Sequence, residues 1–338
     1  MIFLYVLYHY SPEKVSKIMK NQPSRRTFLK KAGLTAAVLP FSTLLPASIR
    51  PDTEAANALQ VHIFSKHLQF LNYKDMAEAA AEIGFDGVEL TVRPKGHVEP
   101  AQAATELPKA IAAIKSAGLL STHMVTSLLS AKNEINQMVL KTAAAQGVES
   151  YRLGYFSFPK EGPLEDGLKT ANKELRKLAR LNKKLGIKGA YQNHAGTKIG
   201  ASMWEVWQML QGVDTEFMGS QFDIRHAVVE GGLSWTNSLR LIKDHIHSIV
   251  AKDFKWEQKE GKWQVKNTPL GEGMVDFKKY FSLLKQYGIQ VPVALHLEYP
   301  IGGGAEHGAK QLSKQETKQV FKAMKKDLTW LQKTWADS

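Results

Sequence analysis

Between Leu59 and Trp335, short apolar runs alternate eight times with longer stretches of helical periodicity. That alternation constrains the fold more than any single motif. The runs at 61–64, 87–90, 119–125, 150–153, 187–192, 218–222, 246–252 and 291–298 read as buried strands. The spacing predicts helices over 74–83, 106–117, 132–145, 164–185, 203–210, 239–245, 277–287 and 314–335, and Gly84, Gly118 and Gly147 stand where the first three stop. Strands joined through helices lie parallel. Eight such units over about 280 residues suit a closed barrel better than an open sheet. The expected fold is therefore α/β, a single (β/α)8 TIM barrel over residues 59–338, with a doubly wound sheet as the alternative topology. No glycine-rich phosphate loop follows the first strand, so no nucleotide cofactor is expected. Two insertions interrupt the repeat. Residues 256–266 read as a hairpin turning at Lys259-Glu260-Gly261. Gly302-Gly303-Gly304 reads as a mobile loop near the last strand end.

Residues 1–58 are set apart as a leader. Ser24-Arg25-Arg26-Thr27-Phe28-Leu29-Lys30 has the pattern of a twin-arginine export signal, and the apolar stretch at 32–46 that follows is too short to anchor in a bilayer. Ala56-Asn57-Ala58 offers a cleavage site. This predicts passage through the twin-arginine translocase, a periplasmic or otherwise exported product, and no stable membrane span once the signal is removed. Cysteine is absent, so disulfides, zinc–thiolate sites and cysteine nucleophiles are excluded. The leader also carries a net +5 of the chain's +13. The remaining excess lies mostly on helical lysines and is not interleaved with aromatics, so no nucleic-acid partner is expected.

In a parallel barrel, ligands bind at the carboxyl ends of the strands. Each expected strand of this chain ends on polar or ionisable residues. The first gives Ser65, Lys66 and His67, the second Glu89, Arg93 and His97, the third His123, and the fourth Arg152 and Tyr155. The fifth gives Gln192 and His194, the sixth Asp223, Arg225 and His226, the seventh Lys252 and Asp253, and the eighth His296 and Glu298. Singly, each has an ordinary structural explanation; their convergence suggests one assembled site. The expected substrate-binding groups are Lys66, Glu89, Arg93, His97, His123, Arg152, Lys252 and His296, and the expected acid–base groups are Glu298, His194 and His226.

Several pieces of the mature region resemble the xylose-isomerase-like TIM barrels, the sugar (phosphate) isomerase/epimerase group. They are Gly84-Phe85-Asp86-Gly87-Val88-Glu89-Leu90, Phe222-Asp223-Ile224-Arg225-His226, Val250-Ala251-Lys252-Asp253-Phe254, Leu270-Gly271-Glu272-Gly273-Met274-Val275-Asp276 and Leu297-Glu298. The run Tyr191–Thr197 looks like a segment of inosose dehydratases. The resemblance implies a divalent metal, Mn²⁺, Mg²⁺ or Co²⁺, held by Glu, Asp, His and Glu from the fifth to eighth strands. Two glutamates would then exchange protons beside a sugar carbonyl. Here Gln192, Asp223 and Glu298 fall on three of those positions, but glutamine replaces the first glutamate and Val250 replaces the histidine. Either the metal site is rebuilt, or histidine carries the acid–base work without a metal.

The resulting expectation is an exported sugar or keto-sugar isomerase or epimerase, or a related lyase, acting on a small carbohydrate by proton abstraction next to a carbonyl. The alternative is a non-catalytic carbohydrate-binding barrel with a degenerate metal site. A hydrolase using Asp223 and Glu298 as a carboxylate pair is a third reading.

Overall fold

The computed structural model describes residues 58–338. The leader and its paired arginines lie outside the described residues, apart from Ala58. Eight parallel strands close into a barrel: β1 (Val61–Phe64), β2 (Gly87–Val92), β3 (Leu120–Thr126), β4 (Ser150–Arg152), β5 (Lys188–Gln192), β6 (Met218–Asp223), β7 (Ile246–Ala251) and β10 (Val293–Leu295). Closure is made by β1 pairing with β10, with Val61 opposite Val293 and Ile63 opposite Leu295. The expected closed barrel is thus observed, with each strand following the one before it around the ring.

Helices cover the outside. They are α1 (Tyr73–Ile83), α2 (Ala103–Ser116), α3 (Glu134–Ala145), α4 (Leu164–Leu185), α5 (Met203–Met209), α6 (Ile224–Gly231), α7 (Trp235–Ile242), α8 (Phe277–Gln286) and α9 (Lys314–Ala336). Their limits follow local chemistry. Asn72 caps α1 by accepting from the Asp75 amide, and Gly84 ends it in the left-handed region at φ 102°. Ser313 and Glu316 form a reciprocal capping box on α9. On α4 the buried residues Ala171, Leu175, Leu178, Ala179 and Asn182 recur at helical spacing, while Lys169, Lys173, Lys183 and Lys184 face solvent.

Several elements differ from the sequence expectation. The eighth barrel strand is only three residues long, because Leu297 turns its amide to His67 instead of a neighbouring strand. α6 was not anticipated. It starts directly at the end of β6, where the Asp223 side chain caps it by accepting from the His226 amide at 3.2 Å.

The hairpin is longer than expected. Strands β8 (Asp253–Lys259) and β9 (Lys262–Thr268) pair antiparallel along their whole length. Glu260 and Gly261 hold the turn with φ 51° and 75°, the left-handed pair that a two-residue hairpin loop requires. The glycine run at 302–304 leads into a turn in which Ala305 is buried and its carbonyl faces His67.

The inside of the barrel is unusually polar. Glu89 on β2 accepts from Gln221 Nε2 on β6 at 2.8 Å, and these strands lie diametrically opposite in the ring. His62, His123, Ser150, Ser248 and His296 are also buried. The apolar packing sits instead between the barrel and its helices, among residues such as Leu90, Leu175, Phe222, Tyr280, Phe281 and Leu328.

Candidate active site at the barrel mouth

The centre of the mouth is the ammonium of Lys252, on the segment between β7 and the hairpin. It lies 3.0 Å from Asp223 Oδ2 and 3.0 Å from Glu298 Oε1. Asp223 and Lys252 are buried, and the Glu298 side chain keeps 25% of its surface exposed. Burial opposes the charge on Lys252, but the two carboxylates outweigh it and hold its pKa above the ordinary lysine value. Burial likewise pushes Glu298 up, yet Lys252 and His296 prevail and hold its carboxyl far below the usual carboxylate range.

Gln192 joins this pair from β5. Its Nε2 donates to Asp223 Oδ2 at 2.7 Å, while its Oε1 accepts from Arg152 Nη1 at 2.8 Å and from the Tyr155 hydroxyl at 2.5 Å. Asn193 ties the strand ends together, accepting from the Asp223 amide at 2.8 Å and donating to the Asp223 carbonyl at 3.0 Å. Arg93 lies over the Phe64 ring, 5.4 Å from its centroid, and its pKa is lowered by burial and then by the charge of Arg152. Lys66 is drawn down by burial and up by Glu298, the former prevailing.

The two mouth histidines differ. His226 is fully engaged: Arg225 Nη1 donates to its Nδ1 at 2.7 Å, and its Nε2 faces Lys252 Nζ at 2.9 Å. Burial, reinforced by Lys252, holds its pKa well below the ordinary histidine value. With neither nitrogen open, His226 is a packing and polar-network member rather than a free base. His194 stacks on it with ring centroids 4.0 Å apart and meets the Tyr155 ring at 5.0 Å. Its Nδ1 lies 3.0 Å from the Ala195 carbonyl and therefore carries the proton. Nε2 has no hydrogen-bond partner among the described residues and is left as an acceptor. Burial and then Lys252 lower the pKa of His194, favouring the neutral ring.

A second cluster lies deeper. Glu89 Oε2 is 2.9 Å from His296 Nε2, and His296 stacks on Phe64 at 4.1 Å. Burial raises the Glu89 carboxyl, but His296 and Gln221 together bring it down to about 2. Two other expected binding residues are held away from the mouth. His97 uses Nδ1 on Ser65 Oγ (3.1 Å) and Nε2 on the Leu68 carbonyl (3.2 Å), fastening the first two strand ends to each other. His123 bonds Ser150 Oγ and lies beside the His62 ring inside the barrel. Both nitrogens of His97 are thus engaged, while His123 keeps a buried Nε2 with no hydrogen bond among the described residues.

The metal set implied by the sequence can be tested on these contacts. Asp223 Oδ2 and Glu298 Oε1 are both occupied by the Lys252 ammonium. Gln192 presents its NH2 to that space and turns its only donor oxygen to Arg152 and Tyr155. Val250 brings no donor atom. Among the described residues, no group of three or more His, Asp or Glu side chains is spaced to hold an ion. Gln192, Asp223 and Glu298 as arranged therefore do not fit a divalent metal: a fixed monovalent cation stands between the two carboxylates.

Asp253, next in sequence to Lys252, points elsewhere. Its two oxygens accept from the amides of Phe254 (2.8 Å), Val275 (3.1 Å), Gly271 (3.0 Å) and Gly273 (3.1 Å). A Cβ on Gly273 would come within 2.1 Å of Asp253 Oδ1, so the loop fits only with glycine there. This explains the pairing of Lys-Asp with Gly-x-Gly-x-Val-Asp, and Asp253 is an anchor rather than a partner of Lys252. Sequence reasoning gave no role to Gln221, Asn193 or Asn267. Gln221 shares strand parity with Asp223, a signal that it too faces inward.

The family described as xylose isomerase-like TIM barrel matches residues 77–331. No curated protein matches the chain. Among solved structures, D-psicose 3-epimerase with D-tagatose from Clostridium cellulolyticum H10 superposes with a TM-score of 0.62 at 14% identity, covering 82% of this chain and 99% of its own. The apo 3-keto-D-glucoside 4-epimerase of E. coli gives 0.58 at 14% identity, covering 81% and 99%. The D-allulose 3-epimerase of Methylomonas sp. in complex with D-allulose gives 0.58 at 14%, covering 82% and 97%. At these identities the likeness is one of fold.

Proposed function

We propose a function from one premise: this chain belongs to the xylose isomerase-like TIM barrel family. It binds a sugar or keto-sugar at the barrel mouth and moves a proton at the carbon beside the carbonyl, giving isomerisation or epimerisation. The observation that carries this reading is the meeting, around one buried ammonium, of an ionised carboxylate (Glu298) and a neutral imidazole with an open nitrogen (His194). The sugar epimerases with which the fold superposes support it.

The chemistry follows from those groups. Lys252, backed by Arg152, donates to the carbonyl oxygen and stabilises the negative charge that grows there as the proton leaves. Glu298 is a weak base at rest because Lys252 stabilises its ionised form. As the substrate oxygen draws on Lys252, that stabilisation falls and Glu298 becomes the stronger proton acceptor. Epimerisation also needs a proton donor: His194 Nε2, unprotonated at rest, serves once it has taken a proton from solvent, gives that proton to the carbon as Glu298 takes the other, and Glu298 then returns its proton to solvent. No step is assigned to a metal, since the donor set does not fit one.

Candidate keto-sugars incubated with the protein in D₂O should take up deuterium next to the carbonyl. Absence of exchange with every one of them, with and without Mn²⁺, overturns this reading in favour of a non-catalytic carbohydrate-binding barrel. We extend the proposal to location: the Ser24–Lys30 motif sends the folded chain through the twin-arginine translocase to the periplasm. Replacing Arg25 and Arg26 by lysine should leave the protein in the cytoplasmic fraction, and unchanged fractionation would refute it.

A further inference from the structure

The β8–β9 hairpin rises from the end of β7 with two chemically distinct faces. Strand alternation and the observed register put Phe254, Trp256 and Gln258 on one face, opposite Asn267, Val265 and Trp263. The other face is charged, with Lys266 paired to Glu257 at 2.9 Å. The aromatic face begins inside the candidate site. Asn267 accepts from Arg225 Nη2 at 2.8 Å and donates to the Glu298 carbonyl at 3.2 Å. Arg225 lies over the Phe254 ring, 5.6 Å from its centroid, and Phe254 meets Trp256 edge to face at 6.2 Å. From there the face runs outward into solvent, where Trp256 is 42% and Trp263 66% exposed.

Two indoles on a solvent-exposed hairpin offer a flat apolar surface to a ligand. Given roughly 150–250 Å² for each aromatic side chain, these fractions leave about 200 Å² of indole surface open. A stable protein interface takes roughly 800 Å² from each partner, so the two indoles alone supply about a quarter of what a second copy of the chain would need, while they match one or two small rings. The hairpin's own residues on this face carry no ionisable side chain, and Arg225 reaches only its inner end at Phe254 and Asn267, so charged ligands are disfavoured at the outer, exposed end. A pyranose suits it: the axial C–H groups of the ring pack on an indole face, and its rim of hydroxyls can use the Gln258 amide.

We propose that this aromatic face is a subsite for a second, neutral sugar ring, so that the substrate is a glycoside or short oligosaccharide whose reacting unit lies at the mouth. This rests on the carbohydrate reading of the mouth given above. The continuity from Glu298 through Asn267 and Phe254 to Trp256 places the second ring next to the first.

Tryptophan fluorescence titrations with glucose, maltose and cellobiose test it, using the wild type and the Trp256→Ala and Trp263→Ala variants, alongside deuterium exchange on keto-monosaccharides and sedimentation of each protein. At least one disaccharide should bind tenfold or more tightly than glucose, and each variant should remove most of that difference while leaving glucose binding and monosaccharide exchange unchanged. A wild type that binds disaccharides no better than glucose overturns the subsite while exchange still upholds the mouth. A dimer that dissociates on Trp263→Ala overturns it in favour of a subunit contact. No binding of any sugar together with no exchange sinks both readings.

Discussion

Replacing Lys252 by methionine removes the one cation that separates Asp223 from Glu298. The two carboxylates, each 3.0 Å from Nζ, would then face each other across a largely buried gap. Breaking a buried pair by deleting one partner typically costs 3–5 kcal/mol, because the remaining charge is left without compensation. For a domain of this size each kcal/mol shifts Tm by about 2–3 °C, so the variant should melt roughly 6–15 °C below wild type by calorimetry at pH 7. The deficit should shrink at acid pH, where Glu298, no longer held ionised by Lys252, can take a proton and relieve the repulsion. Lys252→Ala adds a second arm. With the cation gone and the space open, Mn²⁺ should raise the Tm of this variant and leave wild type unmoved; an ion at a hundred times its Kd adds about 2.7 kcal/mol. A Lys252→Met protein melting within about 2 °C of wild type, or a wild type that itself melts higher in Mn²⁺, would refute the view that a lysine ammonium holds the place between the two carboxylates.

Other outcomes follow from the same contacts. His194→Ala should slow carbon-bound exchange by on the order of a hundredfold with little change in KM, whereas equal loss of binding and rate would make His194 a structural group. Asp253→Ala strips the acceptor from four backbone amides and should cost about 3 kcal/mol or more in urea denaturation; a midpoint near wild type would show that the loop holds itself. Asp327 is buried with its Oδ2 on the Tyr299 hydroxyl, and burial raises its carboxyl to about 7 from an ordinary 3.8. Between those values the folded state holds the proton and the unfolded state does not, so stability falls as pH rises through the window, by about 1.4 kcal/mol per pH unit at most. Asp327→Asn should therefore gain on wild type in Tm between pH 4 and pH 8, and a pH-independent difference would contradict the assignment.

The fold was largely legible because its signal is periodic: eight apolar runs, each followed by a helical stretch, leave few topologies. The departure at Gln192 and Val250 was legible too, being a matter of residue identity at a motif position. What could not be read was the use of the polar groups. Gln192 could have turned either its oxygen or its NH2 toward Asp223, and only the placement of Arg152 and Tyr155 decides it. Lys252 and Asp253 look like a pair in the sequence, yet strand alternation sends one inward and the other to the Gly271–Val275 loop. His97 and His123 look like substrate-binding groups because their type suggests it; Ser65 and Leu68 claim both nitrogens of His97, and Ser150 claims Nδ1 of His123, whose ring lies beside His62 inside the barrel. The Glu89–Gln221 bond joins residues on opposite sides of the ring, a distance no local pattern reports.

That last bond bears on the order in which the molecule can be made. Glu89 leaves the ribosome early, but its two partners, Gln221 and His296, arrive much later, and β1 gains its second neighbour only with Val293–Leu295. Until then the growing chain carries an ionised group destined for the interior and an open strand edge, with nothing to pair with either. The pairings that close the ring and satisfy Glu89 in full can form only once the last strand has been made. The barrel behaves as a ring with a late clasp, and its earliest-made carboxylate is one of the last to find its partners.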